Sequence, residues 1–303
     1  MGTMNRAPTR GAGPVVPNER KITGKTVYGR VLNFLLTILI GYLVVLVLVR
    51  VFEARLIFFP DYPSRLEGDW HPRGLPVEEV WLTAADGVKL HAWWIPNEKA
   101  KFTFVAFHGN ASNIANRAAI YDELRQAPGN VLAVEYRGYG RSEGSPSEAG
   151  IYRDAEAAYV YVVQTKKVEA KRVISFGQSL GTAVATHMAK EHTVGGLILE
   201  APFPSASEMA RKVFWFLPGA SWAVYGQFNT GTWIKSVRAP VLVFHCKEDP
   251  VIPFPFGQEV YEAAQEPKTF VAIESSCHEE ASLMASKQYR AALQQFLSSL
   301  RGD

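Results

Sequence analysis

Short apolar runs alternate with helix-like segments from residue 77 to the end of the chain. The first two runs, Val80–Thr83 and Val88–Ile95, flank an Asp-Gly pair that favours a tight β-hairpin. Further short apolar runs predict strands at Phe102–His108, Val131–Glu135, Arg172–Phe176, Gly196–Glu200, Pro240–His245 and Thr269–Ile273. Helices are predicted at Asn113–Gln126, Tyr152–Gln164, Thr182–Lys190 and Leu283–Leu300. This alternation predicts an α/β fold with a mostly parallel sheet and helices on both faces.

One long apolar segment precedes this pattern. Residues 31–49 run for 19 residues without a charge, which is long enough for a helix that crosses a membrane. A cleaved secretory signal would have a shorter apolar region followed by small residues, whereas Arg-Val-Phe-Glu follows here. We therefore predict a retained transmembrane helix at residues 31–50.

Charge is distributed unevenly about this helix. The chain has a net charge of +3, but residues 1–30 hold six Lys and Arg against one Glu, a net charge of +5. Because cations collect on the cytoplasmic side, the N-terminus is predicted to be cytoplasmic. The body then lies on the opposite side, whether periplasmic, extracellular or lumenal. Its net charge of −2 offers no basic face, so no nucleic-acid partner is expected.

Domain boundaries follow from these segments. Residues 1–30 are predicted to form a basic flexible tail, and residues 51–76 a juxtamembrane connector. Residues 77–303 are long enough for one large α/β domain, and the 48% hydrophobic content of the chain suits a sizeable core. The strand–helix alternation breaks at residues 200–238, which are rich in aromatic side chains. We expect a small cap of one or two helices there.

A Gly-Gln-Ser-Leu-Gly motif at residues 177–181 lies between the strand run that ends at Phe176 and a small-residue helix. In this context the motif predicts a nucleophile elbow, which holds the Ser179 hydroxyl at the tip of a strained turn. The turn is so tight that the positions two before and two after the serine must lack bulk. A simple Gly-rich turn is the alternative interpretation.

A serine needs a base, and the base needs an orienting acid. In this kind of sheet the order along the chain is serine, acid, histidine, each in a loop after a strand. Asp249 follows the strand that ends at His245, and His278 follows the strand that ends at Ile273. We predict a Ser179–Asp249–His278 triad. Glu200, at the end of the strand after the elbow helix, is the alternative acid.

The loop after Phe107 is where such a fold places half of its oxyanion hole. We predict that the backbone N–H groups of Asn110 and Leu180 are the two donors, because Gly109 allows a close approach to the substrate. His108 and the Asn110 side chain are expected to brace the loop. No His/Cys/Asp/Glu spacing suits zinc, and no Gly-rich phosphate loop is present, so neither metal nor cofactor is predicted.

The two cysteines lie beside the predicted acid and base. Cys246 comes three residues before Asp249, and Cys277 immediately precedes His278. The simpler interpretation is two separate buried thiols, which is common for free cysteine. The alternative is a disulfide that braces the two loops, which an exported domain permits.

Several phrases of the sequence resemble the α/β-hydrolase domain-containing protein 13 branch and its microbial relatives. They are FHGNASNI (107–114), YRGYGRSEGSPSEAG (136–150), FGQSLGTAVA (176–185), LILEAPFPS (197–205) and EDPVIP (248–253). The resemblance covers about residues 50–300. It implies an α/β-hydrolase fold and a membrane-anchored serine hydrolase, with Ser179, Asp249 and His278 at the family's triad positions. The chain departs from the family on both sides of the histidine, where Cys277 replaces the usual Gly and Glu279-Glu280 replaces the usual Asn-Asp.

These observations favour a serine hydrolase that cleaves an acyl ester or thioester of a small or lipid-like substrate through an acyl-enzyme. A serine peptidase or aminopeptidase with the same triad is the first alternative. It would need a carboxylate to bind the substrate ammonium. A non-catalytic, membrane-anchored binding domain is the second alternative.

Overall fold

An eight-stranded sheet lies at the centre of the computed structural model, which describes residues 24–219, 221, 224, 226–279 and 286–300. The strands are β1 (Glu78–Thr83), β2 (Lys89–Ile95), β3 (Phe102–Phe107), β4 (Gly129–Val134), β5 (Val173–Gln178), β6 (Gly196–Glu200), β7 (Val241–Cys246) and β8 (Lys268–Ile273). Their spatial order is β1-β2-β4-β3-β5-β6-β7-β8. Strand β2 is antiparallel to β1 and to β4, and the other neighbours are parallel. The predicted mostly parallel sheet, preceded by one hairpin, is confirmed.

Both faces of the sheet are covered. On β3, Phe104 packs into one hydrophobic core and Phe107 into the other, because successive side chains of a strand point to opposite faces. Strands β3, β5, β6 and β7 are buried along their whole length. The carboxyl ends of parallel strands meet at one edge of a sheet, so the loops that follow these strands lie side by side.

The helices pack around this sheet or precede it. They are α1 (Gly24–Val51), α2 (Glu53–Ile57), α3 (Ala118–Gln126), α4 (Glu148–Val160), α5 (Leu180–Glu191), α6 (Ala206–Val213), α7 (Thr230–Trp233), α8 (Phe254–Ala263) and α9 (Ser286–Ser299). The chain divides into two compact units, residues 1–45 and 46–303.

Helix α1 contains the predicted transmembrane segment. Residues 28–51 of this helix are long and apolar enough to cross a membrane, and their most apolar stretch has no residue buried within the protein. The helix is longer than the predicted 31–50 at both ends. Directly after it, the connector forms the short helix α2. The predicted tail, residues 1–30, lies mostly outside the described residues.

Two helices begin well away from their predicted first residues. The segment predicted as a helix from Asn113 begins with a separate 3₁₀ turn at Ile114–Asn116, and α3 starts only at Ala118. Helix α4 begins four residues before the predicted Tyr152, because the Ser147 hydroxyl accepts a hydrogen bond from the Gly150 N–H and caps it. Residues 283–285 of the predicted closing helix lie outside the described residues.

The described part of the predicted cap contains α6 and α7. The Ser205 hydroxyl caps α6 by accepting a hydrogen bond from the Glu208 N–H. Of the aromatic residues in this segment, Trp222 and Tyr225 lie outside the described residues.

Candidate active site

Ser179 occupies the turn between β5 and α5. Its φ is 50°, in the left-handed region that non-glycine residues rarely adopt, so the backbone is strained there. The Ser179 N–H donates to the Glu200 carbonyl at 2.9 Å, and the Ser179 carbonyl accepts from the Thr182 N–H at 2.9 Å. These bonds hold the turn in its strained conformation.

The two glycines of the motif are required by close packing. A Cβ at Gly177 would collide with the backbone of Gly181, and a Cβ at Gly181 would collide with the carbonyl of Phe107. The first turn of α5 therefore lies directly against the ends of β5 and β3. These contacts explain why both positions must lack a side chain.

The structure brings Ser179, His278 and Asp249 into one hydrogen-bonded row. His278 Nε2 lies 2.9 Å from Ser179 Oγ, and His278 Nδ1 lies 2.8 Å from Asp249 Oδ2. The three residues follow the carboxyl ends of β5, β7 and β8, although 99 residues separate the serine from the histidine. A base that is bonded to a hydroxyl on one side and to a carboxylate on the other can take and return a proton.

The Asp249 side chain is fully buried and held by backbone donors. Its Oδ1 accepts from the N–H groups of Val251 and Ile252, both at 2.8 Å, which leaves Oδ2 for His278. His245 lies close by, with Nε2 at 3.1 Å from the Ile252 carbonyl. Burial lowers the pKa of His245, so this ring is neutral and its Nε2–H donates to that carbonyl.

A disulfide joins Cys246 to Cys277, with their Cα atoms 5.6 Å apart. The simpler interpretation of two separate thiols is therefore wrong. The reason is geometric: because Asp249 and His278 are bonded, the loops that carry the cysteines are close enough for a disulfide. The bond connects the end of β7 to the residue before His278, and both cysteines are buried.

The loop after β3 lines the space beside the serine. Asn110 and Leu180 line the same cavity as Ser179. The Asn110 side chain accepts from the Phe59 N–H at 3.3 Å and from the Tyr139 hydroxyl at 3.0 Å. This side chain is thus engaged with the connector and with the loop after β4. The backbone N–H groups of Asn110 and Leu180 stay the predicted oxyanion donors.

Arg117 and Glu279 form an ion pair that sequence reasoning did not find. Arg117 Nη1 lies 2.5 Å from Glu279 Oε2, and Arg117 also donates to the Ala111 carbonyl at 2.9 Å. Burial alone would raise the pKa of Glu279, but the Arg117 charge lowers it. A Cβ at Gly109 would collide with the Glu279 carboxylate, so the pair packs directly on the predicted oxyanion loop.

Comparisons with known proteins identify the family. Residues 98–226 match a family described as "Serine aminopeptidase, S33". Over 260 residues the chain is 34% identical to the α/β-hydrolase domain-containing protein WAV2 of Arabidopsis thaliana, covering 79% of this chain and 82% of the relative. The chain belongs to the α/β-hydrolase family.

A bacterial protein is also similar to the chain in sequence, and an archaeal protein is similar to it in fold. The hydrolase is 30% identical over 233 residues to YfhR of Escherichia coli K12, covering 74% of this chain and 79% of the relative. In structure it resembles the Pyrococcus furiosus esterase Pf2001, with a TM-score of 0.66, 21% identity, and coverage of 81% of this chain and 99% of that chain. Membership of the protein 13 branch stays a prediction.

A cavity of about 520 Å³ opens beside the serine of this hydrolase. Its polar lining includes Ser179 and His278, and much of its apolar lining comes from the connector, α6 and the loop after Asp249. The apolar side chains are Val49, Leu56, Ile57, Phe59, Ala111, Leu180, Phe203, Ala206, Met209, Ala210, Val213, Phe214, Val224, Phe228, Val251 and Ile252. In the part of the chain that the structure describes, no group of three His, Cys, Asp or Glu could hold a metal ion.

Glu200, the alternative acid, bonds elsewhere. Its carboxylate accepts from Gln178 Nε2 at 2.7 Å and from the Tyr289 hydroxyl, whereas the carboxylate bonded to His278 Nδ1 is that of Asp249. Burial raises the pKa of Glu200 from its ordinary 4.5 to about 7. The Glu200 carboxyl therefore binds its proton more tightly in the folded protein than in the unfolded chain.

The substitution Glu200→Gln should alter the pH dependence of stability. In the wild type, the stabilisation from the protonated carboxyl is complete below about pH 4.5 and is lost as the pH rises through about 7. The variant lacks this titration, so its stability relative to the wild type should increase by about 3 kcal/mol from pH 5 to pH 8. Unfolding of the full chain in detergent measures the difference. The exposed Glu169→Gln is the control, and an equal response of both variants would contradict the prediction.

Proposed function

We propose that this protein is a membrane-anchored serine hydrolase that cleaves an acyl ester or thioester through an acyl-enzyme. The observation that carries the proposal is the row in which His278 lies within hydrogen-bond distance of both Ser179 Oγ and Asp249 Oδ2. The strained turn at Ser179 supports it, because such strain is typical of functional sites. The α/β-hydrolase family of the chain supports it as well.

The proposed reaction has two steps, acylation of Ser179 and hydrolysis of the acyl-enzyme. Ser179 Oγ bonds to the acyl carbon while His278 Nε2 takes the hydroxyl proton, and Asp249 holds the opposite ring N–H. The N–H groups of Asn110 and Leu180 stabilise the oxyanion. The bond to the leaving alcohol or thiol then breaks, and the leaving group receives the proton from His278. Water then attacks the acyl carbon of the acyl-enzyme, with His278 again taking and returning the proton. This step releases the carboxylate and restores Ser179.

The apolar cavity wall favours an acyl substrate over a peptide amine. An aminopeptidase would need a carboxylate that is available for the substrate ammonium. Among the described residues, two glutamates line the cavity, and both are already bonded: Glu279 pairs with Arg117, while Glu53 pairs with Arg50 at 3.0 Å and accepts from the Gly226 N–H at 2.5 Å. The peptidase stays the second candidate because of the family described as serine aminopeptidase.

The placement of the protein in the cell is part of this proposal. The apolar helix α1 would anchor the chain in a membrane, with residues 1–30 in the cytoplasm and the catalytic domain on the opposite side. The excess of cations before the helix supports this topology. The disulfide also fits an oxidising compartment for the catalytic domain.

Replacing Ser179 by Ala should abolish catalysis without unfolding the protein. Loss of a triad nucleophile should lower the rate by at least about 10³-fold. Hydrolysis of a chromogenic acetate ester and labelling by a fluorophosphonate probe measure the effect in the full-length protein. The exposed Ser145→Ala serves as the matched control. Labelling of the Ser179→Ala variant at wild-type level would refute the site, and an unlabelled wild type would favour the non-catalytic alternative.

Replacing Asp249 by Asn should cost far more activity than replacing Glu200 by Gln. The Asn carbonyl can still accept from the Val251 and Ile252 N–H groups, but its NH₂ group would face His278 Nδ1 and favour the wrong tautomer. We expect a loss of kcat/KM of about 10⁴-fold for Asp249→Asn. The reverse ranking of the two variants would assign the acid to Glu200.

Protease added outside sealed cells should cleave the catalytic domain and leave residues 1–30 intact. The reason is the predicted cytoplasmic location of the cation-rich N-terminus. Epitope tags at the two ends of the chain report the two outcomes separately, and cells opened with detergent provide the control in which both tags are lost. Protection of the C-terminal tag in sealed cells would reverse the proposed topology.

A further inference from the structure

The cavity beside Ser179 is suited to a hydrocarbon chain. Apart from the groups at the proposed catalytic centre, the polar side chains on its described wall are Glu53 and Glu279, and both are bonded within the protein. Its volume of about 520 Å³ is within the range of about 300–1,000 Å³ that is typical of small-molecule sites. An apolar space of this size, next to a nucleophile, recognises an acyl chain through burial rather than through hydrogen bonds.

One wall of the cavity comes from the chain that leaves the apolar helix. Val49 is the last residue of the uncharged run 31–49, and it lines the cavity together with Leu56 and Ile57 of α2. Only Phe52 separates α1 from α2. When residues 31–49 span a membrane, this wall begins at the level where the hydrocarbon layer ends.

A second wall comes from α6 of the cap, through Met209 and Val213. The chain that follows α6 exposes two large aromatic side chains: Trp215 is 80% exposed, and Phe216 is 65% exposed. Their rings contact each other edge to face, so they form one apolar surface cluster. Such clusters mark sites of contact with a membrane or a partner.

Cations accompany this cluster. Arg211 and Lys212 are exposed in the last turn of α6, just before Trp215, and Arg50 and Arg55 are exposed in the segment that provides the connector wall. Trp beside Lys and Arg is the composition found where a protein meets the headgroup layer of a bilayer, because the ring lies among the headgroups and the cations meet phosphate. Because Val49, at the end of the uncharged run, lines the same cavity as Met209 and Val213 of α6, a lipid surface is the occupant that fits this cluster.

We propose that the substrate is a long-chain acyl ester that resides in the membrane leaflet. Trp215 and Phe216 insert into the interface, and the acyl chain moves from the leaflet into the cavity between α2 and α6 until its carbonyl reaches Ser179. This inference rests on the proposed serine hydrolase function and names its substrate class. The ester C–O bond breaks as described above, water supplies the oxygen of the released fatty carboxylate, and the alcohol leaves with a proton.

The first test compares two substrates with the same leaving group. The full-length protein in phosphatidylcholine vesicles is given 4-methylumbelliferyl palmitate, which partitions into the bilayer, or the water-soluble acetate. The double variant Trp215→Ser/Phe216→Ser should lower the ratio of the palmitate rate to the acetate rate by about tenfold, because the apolar contact with the bilayer is lost. Trp81→Ser, at a 53% exposed tryptophan on the edge strand β1, is the matched control and should leave the ratio unchanged.

The second test does not depend on activity. Tryptophan fluorescence of the full-length protein is measured in vesicles that contain brominated phosphatidylcholine, which quenches only rings at or within the bilayer. Trp215→Phe should remove a quenched component, whereas Trp81→Phe should remove an unquenched one. An unquenched Trp215 would overturn the proposal, since the cluster would then face a partner other than the membrane.

The outcomes separate this inference from the proposed function. If the wild type hydrolyses the acetate and Ser179 is labelled by a fluorophosphonate, but the double variant and Trp81→Ser give the same rate ratio, the membrane substrate is wrong and the hydrolase stands. If the wild type hydrolyses neither ester and is not labelled, both proposals fail. A tenfold fall in the ratio together with a quenched Trp215 supports the leaflet substrate.

Discussion

The close approach of α5 to the ends of β3 and β5 is the constraint on which the site depends. Gly177 and Gly181 allow this approach, since a methyl group on either would meet backbone atoms. The chain must therefore reverse within one residue, and Ser179 takes the positive φ at a cost of roughly 1–3 kcal/mol. The packing of the surrounding sheet offsets the cost of this strain, so the Ser179 hydroxyl is held in place without a bound substrate.

Local patterns predicted the parts of the structure that depend on local chemistry. The hairpin, the buried parallel strands and the order in which Ser179, Asp249 and His278 follow strand ends could all be predicted, because strand ends in a parallel sheet meet at one edge. The cap on helix α4 was missed, although Ser147 followed by Glu148 offered a signal for it.

Other features of the site depend on side chains that are far apart in sequence. Arg117 and Glu279 are 162 residues apart, and Glu53 and Gly226 are 173 residues apart. No periodicity or motif connects such pairs, so a single sequence cannot predict them. They nevertheless shape the site: the first pair packs on Gly109, and the second joins the connector helix to the cap.

The disulfide between Cys246 and Cys277 can form only where the surroundings are oxidising. A thiol pair stays reduced in most cytoplasms, so a chain with the proposed topology would leave the ribosome with Cys246 and Cys277 unlinked. The acid and base loops would then be held together without a covalent link, through hydrogen bonds such as those from the Glu248 N–H to the Ser275 carbonyl and between Asp249 and His278. With that topology the disulfide would form after the domain has crossed the membrane, so both loops would be covalently joined only on the far side.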